Sequence, residues 1–179
     1  SVALTGGHSN EGAELGFGLS VNGFASPDRL LLKSGLREGH ALVLTKPLGT
    51  GVLLAANMAG AADGEWLRSA IDVMQQGHAD AMRILRHHDV CACTDVTGFG
   101  FLGHLGEMLR ASGVGAEIVA RMLPALPGAR ECLAEGYRSS LHPANAAALA
   151  CIGQSVPREA VLDGLLVDPQ TAGGLLAGV

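Results

Sequence analysis

The chain is predicted to fold as an α/β (α+β) domain with a mixed β-sheet covered by helices, and three observations carry that prediction. Short apolar runs rich in β-favouring residues alternate irregularly with segments of helical periodicity. Glycines cluster at the ends of those runs. The stretch Val90-Cys-Ala-Cys-Thr-Asp-Val-Thr-Gly-Phe-Gly-Phe-Leu-Gly-His104 reads as strand, turn and helix in immediate succession.

Taken in order, Ser1 to Leu4 runs into Thr5-Gly-Gly-His-Ser-Asn-Glu-Gly12, an abrupt start without Met that reads as an excised piece. Gly6-Gly7 can form an amide nest for an anion, with His8 and Ser9 beside it, or can be a plain loop. Leu15 to Phe24 alternates and is read as a strand ending at Asn22-Gly23. Ser26-Pro-Asp28 is a turn. His40 to Thr45 is a second strand, feeding Lys46-Pro-Leu-Gly-Thr-Gly51 and a helix from about Thr50 to Met58. The lysine precedes the glycines, so this loop is not a P-loop. In its plain reading Thr50 caps the helix and Lys46 is solvated.

Asp63 to His88 is the longest helical pattern, with Leu67, Ala70, Ile71, Met74, His78, Ala81, Met82 and Leu85 at three- and four-residue spacing and Asp63 as cap. His78 is read as a core histidine and His87-His88 as a helix C-terminus. Val90 to Thr94 is a buried strand with Asp95 at its C-terminal end, where open α/β folds place ligand chemistry. Thr97 is read as the cap of a helix from Phe99 to Ala111, stopped by Ser112-Gly113. Ala116 to Ala120 is a strand candidate, and a helix covers Ala129 to Gly136. His142-Pro-Ala-Asn145 opens an Ala-rich helix to about Ile152, Pro157 opens a short helix, and Leu165 to Val167 is a strand. Asp168-Pro-Gln-Thr-Ala-Gly-Gly-Leu-Leu-Ala-Gly-Val179 turns tightly into a last strand.

Composition removes several classes of function. Hydrophobic residues at 48% and charged residues at 16% describe a chain able to bury a core. No apolar run reaches the roughly 18 residues that span a bilayer, and no signal peptide is visible, so a cytoplasmic location without a membrane partner is expected. A net charge of −5 and aromatics at 3% argue against nucleic acid. The four cysteines, Cys91, Cys93, Cys132 and Cys151, lack a zinc spacing and are read as small buried thiols. Glycine, at 26 of 179 residues, is about twice as frequent as the usual 7%.

Two chemistries fit the central segment. A carboxylate beside a glycine-lined helix N-terminus suits a metal-bridged phosphate, because free N–H groups attract phosphate oxygens while the acid holds the cation. Gly98-Phe-Gly-Phe-Leu-Gly103 is also a literal dinucleotide fingerprint after a strand. Against a Rossmann domain stand Asp95 itself, the misplaced Glu117 and the lack of a second mononucleotide half.

Thr94-Asp-Val-Thr-Gly-Phe-Gly-Phe-Leu-Gly-His104, with Glu107-Met108 after it, closely resembles the signature of the selenophosphate synthetase (selenide, water dikinase) family. Gly6-Gly-His-Ser9, Leu44-Thr-Lys-Pro-Leu-Gly-Thr-Gly51 and Asp168-Pro-Gln-Thr-Ala-Gly-Gly-Leu-Leu176 match the same family in the same order. The resemblance implies an enzyme that turns ATP, water and selenide into selenophosphate, AMP and orthophosphate. It implies a homodimer with ATP and Mg²⁺ between an N-terminal half and an α/β C-terminal half of the aminoimidazole ribonucleotide synthetase type. On this basis residues 1–24 are expected to be the last strand and linker of the N-terminal ATP-binding domain, and residues 25–179 a truncated C-terminal domain. Asp95 carries over as a magnesium ligand, and Gly7, His8 and Ser9 carry over to the ATP site across the dimer. The family's Cys or selenocysteine, its neighbouring Lys and its other metal-binding aspartates are expected upstream, so no catalytic residue is assigned here. Ala172 stands where the family usually has Ser. Aminoimidazole ribonucleotide synthetase and thiamine monophosphate kinase, which share the superfamily, are the nearest alternative activities.

Overall fold

β3 (Leu175–Gly178) is the centre of the fold, although it comes last in the chain. The computed structural model describes residues 3–153 and 157–179. β1 (Leu42–Leu44) and β2 (Ala92–Asp95) flank β3, and each pairs with it antiparallel. Leu42 and Ala92 both lie opposite Gly178, and Leu44 and Thr94 both lie opposite Leu176. β1 and β2 therefore run in the same direction and end at the same edge of the sheet. Among the described residues, parallel pairing is confined to an isolated bridge between Leu48 and Ala125.

Alternation along the strands sends side chains to two cores. Ala92 and Leu176, with Leu42 and Leu44 beside them, join the larger core. Most of its other members come from α1 (Thr50–Met58), α4 (Gly100–Ser112), α5 (Ala129–Ala134) and α7 (Ala160–Val167). Cys93, Leu175 and Ala177 face the other way, where Leu85 of α3 (Ala79–Leu85) covers them. Both faces of the sheet are buried, which explains why its strands read as unbroken apolar runs.

Local sequence accounts for two helix boundaries directly. Asp63 caps α2 (Gly64–Gln75), its carboxylate accepting the Glu65 N–H at 2.7 Å. Gly113 closes α4 in a left-handed conformation with φ 69°. The single helix expected over 63–88 is instead α2 and α3, broken where Gln76 turns extended before Gly77. Glycine pays the largest backbone entropy in a helix, so the shared hydrophobic period did not force continuity.

Other expectations are corrected. Leu165 to Val167 is the end of α7, since a short apolar run cannot distinguish a strand from a buried helix. Ala116 to Ala120 forms no strand, because β3 already has both neighbours and nothing among the described residues pairs this segment. The Ala-rich helix after His142 is one short turn, α6 (His142–Asn145), followed by a 3₁₀ stretch over Ala146–Cys151. Of the cysteines, Cys93 and Cys132 are buried, Cys91 is half-buried and Cys151 is exposed.

The chain divides into two compact units, 1–30 and 31–179. In the first, Leu15 to Phe24 is exposed and forms no strand, since a β-ladder needs a partner and none is present among its described residues. Pro27–Arg29 makes a 3₁₀ turn at the expected place. Among the described residues no helix is long and apolar enough to cross a membrane.

Candidate functional site at the strand edge

The site is built where β2 ends. Asp95 is the last residue of that strand, opposite Leu175, and is exposed whereas Ala92, Cys93 and Thr94 are buried. Its carboxylate carries no hydrogen bond or ion pair among the described residues. Its charge is nevertheless felt nearby. Burial, and then Asp95, push the Cys93 thiol up. Burial lowers the His104 imidazole, against opposing pulls from Glu107 and Asp95.

The chain after Asp95 is held by main-chain bonds to a second loop. Val96 N–H donates to Gly174 O at 2.8 Å, and Gln170 N–H donates to Thr97 O at 2.9 Å. Thr97 does not cap α4: Phe99 occupies the cap position without a side-chain bond, and the Thr97 carbonyl accepts Gly100 N–H at 3.0 Å. The Thr97 hydroxyl instead lies 3.4 Å from His104 Nε2. His104 is 4% exposed, with Nδ1 3.5 Å from Glu107 Oε2 and outside hydrogen-bond geometry.

Of the central glycines, Gly100 serves packing against another helix. Gly100 has φ 72°, and a Cβ there would meet the Val167 carbonyl at 2.8 Å, so glycine lets α4 start against the end of α7. Asn145 fixes that junction by donating to Gly98 O at 2.8 Å and Val167 O at 3.0 Å. The dinucleotide reading fails here. Among the described residues β2 pairs only with antiparallel β3, so they form no parallel βαβ unit of a Rossmann fold.

The loop at the start of α1 is likewise unavailable to an anion. Gly49 N–H, Thr50 N–H and the Thr50 hydroxyl all donate to Gln170 Oε1, at 3.0, 3.2 and 3.2 Å. Gly51 N–H donates to Asp168 Oδ2 at 3.1 Å. Thr50 is thus the first residue of the helix and not its cap; its hydroxyl also accepts Thr171 N–H at 2.8 Å. Lys46 is not solvated. It is 5% exposed, and its ammonium donates to Gln76 O at 2.7 Å and Ala172 O at 2.9 Å. The sequence offers Asp168 and Gln170 no role and reads Thr50 as a cap and Lys46 as solvated; the signal for this buried polar group is polar side chains inside glycine-rich motifs.

Gly7, His8 and Ser9 lie in the first unit, exposed and outside regular structure. Neither Gly6 nor Gly7 has a positive φ, so the alternating backbone of a nest is not formed. No group of three or more His, Cys, Asp or Glu residues able to hold a metal occurs among the described residues. Asp95 fits a hard cation as one exposed, unpartnered oxygen ligand, and only as one of several.

Comparison with known proteins agrees with this architecture. Over 185 aligned positions the chain is 44% identical to selenide, water dikinase of Pelobacter propionicus, covering 99% of this chain and 51% of that protein. It is 40% identical to the proteins of the same name from Geobacter metallireducens and Escherichia coli, with 98% and 99% of this chain and 51% of each relative covered. The chain spans about half the length of the curated relatives it matches. Residues 37–162, which run from just before β1 into α7, match the family described as AIR synthase related protein, C-terminal domain, and the chain belongs to that family.

Proposed function

We propose that this chain is the C-terminal part of a selenide, water dikinase, an enzyme that converts ATP, selenide and water to selenophosphate, AMP and orthophosphate. The observation that carries the reading is the exposed Asp95 carboxylate at the end of β2, without a hydrogen-bond or ion-pair partner among the described residues, in a chain 38–44% identical to relatives of that name. Phosphoryl transfer depends on positioning and charge neutralisation more than on covalent help from the protein. Bound Mg²⁺ supplies that neutralisation. Asp95 holds one of its positions, and Gly7, His8 and Ser9 contribute to the ATP site of a homodimer in the cytoplasm. The acids and nucleophile completing the centre belong to the other half of the enzyme.

The test uses the full-length protein with ATP, Mg²⁺ and selenide, following AMP and orthophosphate release. Asp95→Asn should abolish release while the far-ultraviolet circular dichroism is unchanged, because the side chain is exposed. Normal turnover by Asp95→Asn would remove the metal assignment. Selenide-independent turnover that instead requires an amidine ribonucleotide or thiamine monophosphate would move the enzyme to another activity of the superfamily.

A further inference from the structure

Lys46 is a buried cation without a carboxylate partner. It is 5% exposed, its two acceptors are the main-chain carbonyls of Gln76 and Ala172, and none of the ion pairs among the described residues includes it. Burying an ammonium against neutral acceptors alone is costly, and here burial holds it below its ordinary pKa. Its place is specific. Thr45 N–H donates to Leu175 O on one side of β3, and Asp95 pairs with Leu175 on the other. One residue further, Val96 N–H donates to Gly174 O, while the Lys46 backbone nitrogen lies against the other flank of Gly174. Lys46 and Asp95 therefore leave the sheet at the same edge, their backbones about two strand spacings or 10 Å apart across the sheet.

The two carbonyls belong to the segments that wall this edge. Gln76 leads into His78 at the start of α3; that imidazole is lowered by burial and by Lys46, and raised by Asp95, so it stands within range of both charges. Ala172 has φ 47°, a left-handed backbone that a residue with a Cβ resists. Its carbonyl is the one Lys46 holds. Two residues later Gly174 receives the Val96 N–H that anchors the chain directly after Asp95.

We infer that Lys46 is a positioning residue for the metal site, its buried ammonium pinning Ala172 in a strained turn that fixes the backbone beside Asp95. This rests on Asp95 being a metal ligand, and it adds a residue that touches neither metal nor nucleotide. Partners of this kind typically change metal affinity by about 10- to 100-fold. The strain makes the idea separable from a general loss of packing. If Lys46 acts by holding Ala172 left-handed, a glycine at position 172, which accepts that backbone freely, should relieve the need for it.

The experiment is Mn²⁺ binding to the full-length protein with ATP present, followed by electron paramagnetic resonance of free Mn²⁺. Lys46→Met should raise the Mn²⁺ dissociation constant about tenfold. Ala172→Gly alone should leave it unchanged, and Lys46→Met with Ala172→Gly should recover most of the loss. Should Lys46→Met fail to fold, Ala172→Val tests the same turn with Lys46 in place, since a β-branched residue resists left-handed backbone, and it should weaken Mn²⁺ binding likewise. Unchanged binding in Lys46→Met, a loss that Ala172→Gly does not restore, or unchanged binding in Ala172→Val would each overturn the inference. Asp95→Asn is the reference. If it leaves Mn²⁺ binding intact, the metal reading of Asp95 fails; if it weakens binding while Lys46→Met and Ala172→Val do not, only the positioning role fails.

Discussion

Asp168 and Gly51, 117 residues apart in sequence, are joined by a 3.1 Å hydrogen bond from the Gly51 N–H to the Asp168 carboxylate at the first turn of α1. Gln170 Nε2 donates to the same oxygen at 3.0 Å, while Oδ1 has no hydrogen-bond partner among the described residues. Burial dominates: the Asp168 carboxyl is pushed up to about 7, although the Val52, Gln170 and Gly51 donors favour the charged form.

A raised carboxyl pKa means that the folded protein keeps a proton which the unfolded chain has released. Stability therefore falls as pH rises from about 4, the unfolded value, through about 7, by on the order of 4 kcal/mol across that window. Asp168→Asn keeps an acceptor for the helix amides and removes the titration. Urea unfolding at pH 5 and pH 8 should show the wild type losing markedly more stability than Asp168→Asn. Parallel losses in the two proteins would refute the assignment.

Gly100 provides a test of the α4–α7 junction. Gly100→Ala imposes a side chain at φ 72° and drives its Cβ to 2.8 Å from the Val167 carbonyl. The backbone cost alone is about 1–2 kcal/mol, and the collision adds to it. For a chain of this size a loss of about 2 kcal/mol lowers Tm by roughly 4–8 °C. Gly98→Ala is the control, because nothing lies within 4 Å of its Cβ position. Equal melting temperatures for the two variants would show that the junction does not need glycine at position 100.

The contrast between those two glycines shows what was legible from residues alone. Gly98, Gly100 and Gly103 look alike in sequence, as the three glycines of one dinucleotide-like fingerprint. Only the meeting with Val167, 67 positions along, tells that Gly100 is needed against protein and not against a ligand. Local signals succeeded where their cause was local: Asp63 and Gly113 end helices through their own nearest neighbours, and the strand ending at Asp95 is bounded by its own composition. They failed where a distant partner decides. Leu165 to Val167 became helix because α4 and α5 surround them, and Leu15 to Phe24 formed no strand because a ladder needs a neighbour. At the site, Asp95 was visible as a strand-end acid. Lys46, Thr50 and Gln170 were not, since each has a partner 120 to 126 positions away.

His104 should make the acid side of the stability profile steeper. Burial holds its imidazole below the usual value against the opposing pulls of Glu107 and Asp95. A base with a depressed folded pKa contributes stability above its unfolded pKa of about 6.5 and loses it as pH falls below that value. His104→Gln removes that proton uptake, whereas His78 and His142, also lowered by burial, remain. Denaturant midpoints between pH 7 and pH 5 should therefore fall less steeply in His104→Gln than in the wild type. An equal or steeper fall would mean that the imidazole is charged in the folded state.

Residues 1–179 on their own should neither cleave ATP nor hold Mg²⁺·ATP tightly. Mg²⁺ demands octahedral coordination, and dedicated sites supply it from one or two carboxylates together with waters and substrate phosphates. Asp95 offers one exposed carboxylate, and no cluster of further acids, histidines or cysteines accompanies it among the described residues. The amides at the start of α1 cannot compensate, because Gln170 and Asp168 already occupy them. Equilibrium dialysis with labelled ATP and Mg²⁺ should give a dissociation constant in the millimolar range or weaker, at about −4 kcal/mol or less favourable. Micromolar binding would show that this chain carries a complete nucleotide site. Recovery of tight binding only in the full-length protein would place the missing ligands in the other half of the enzyme.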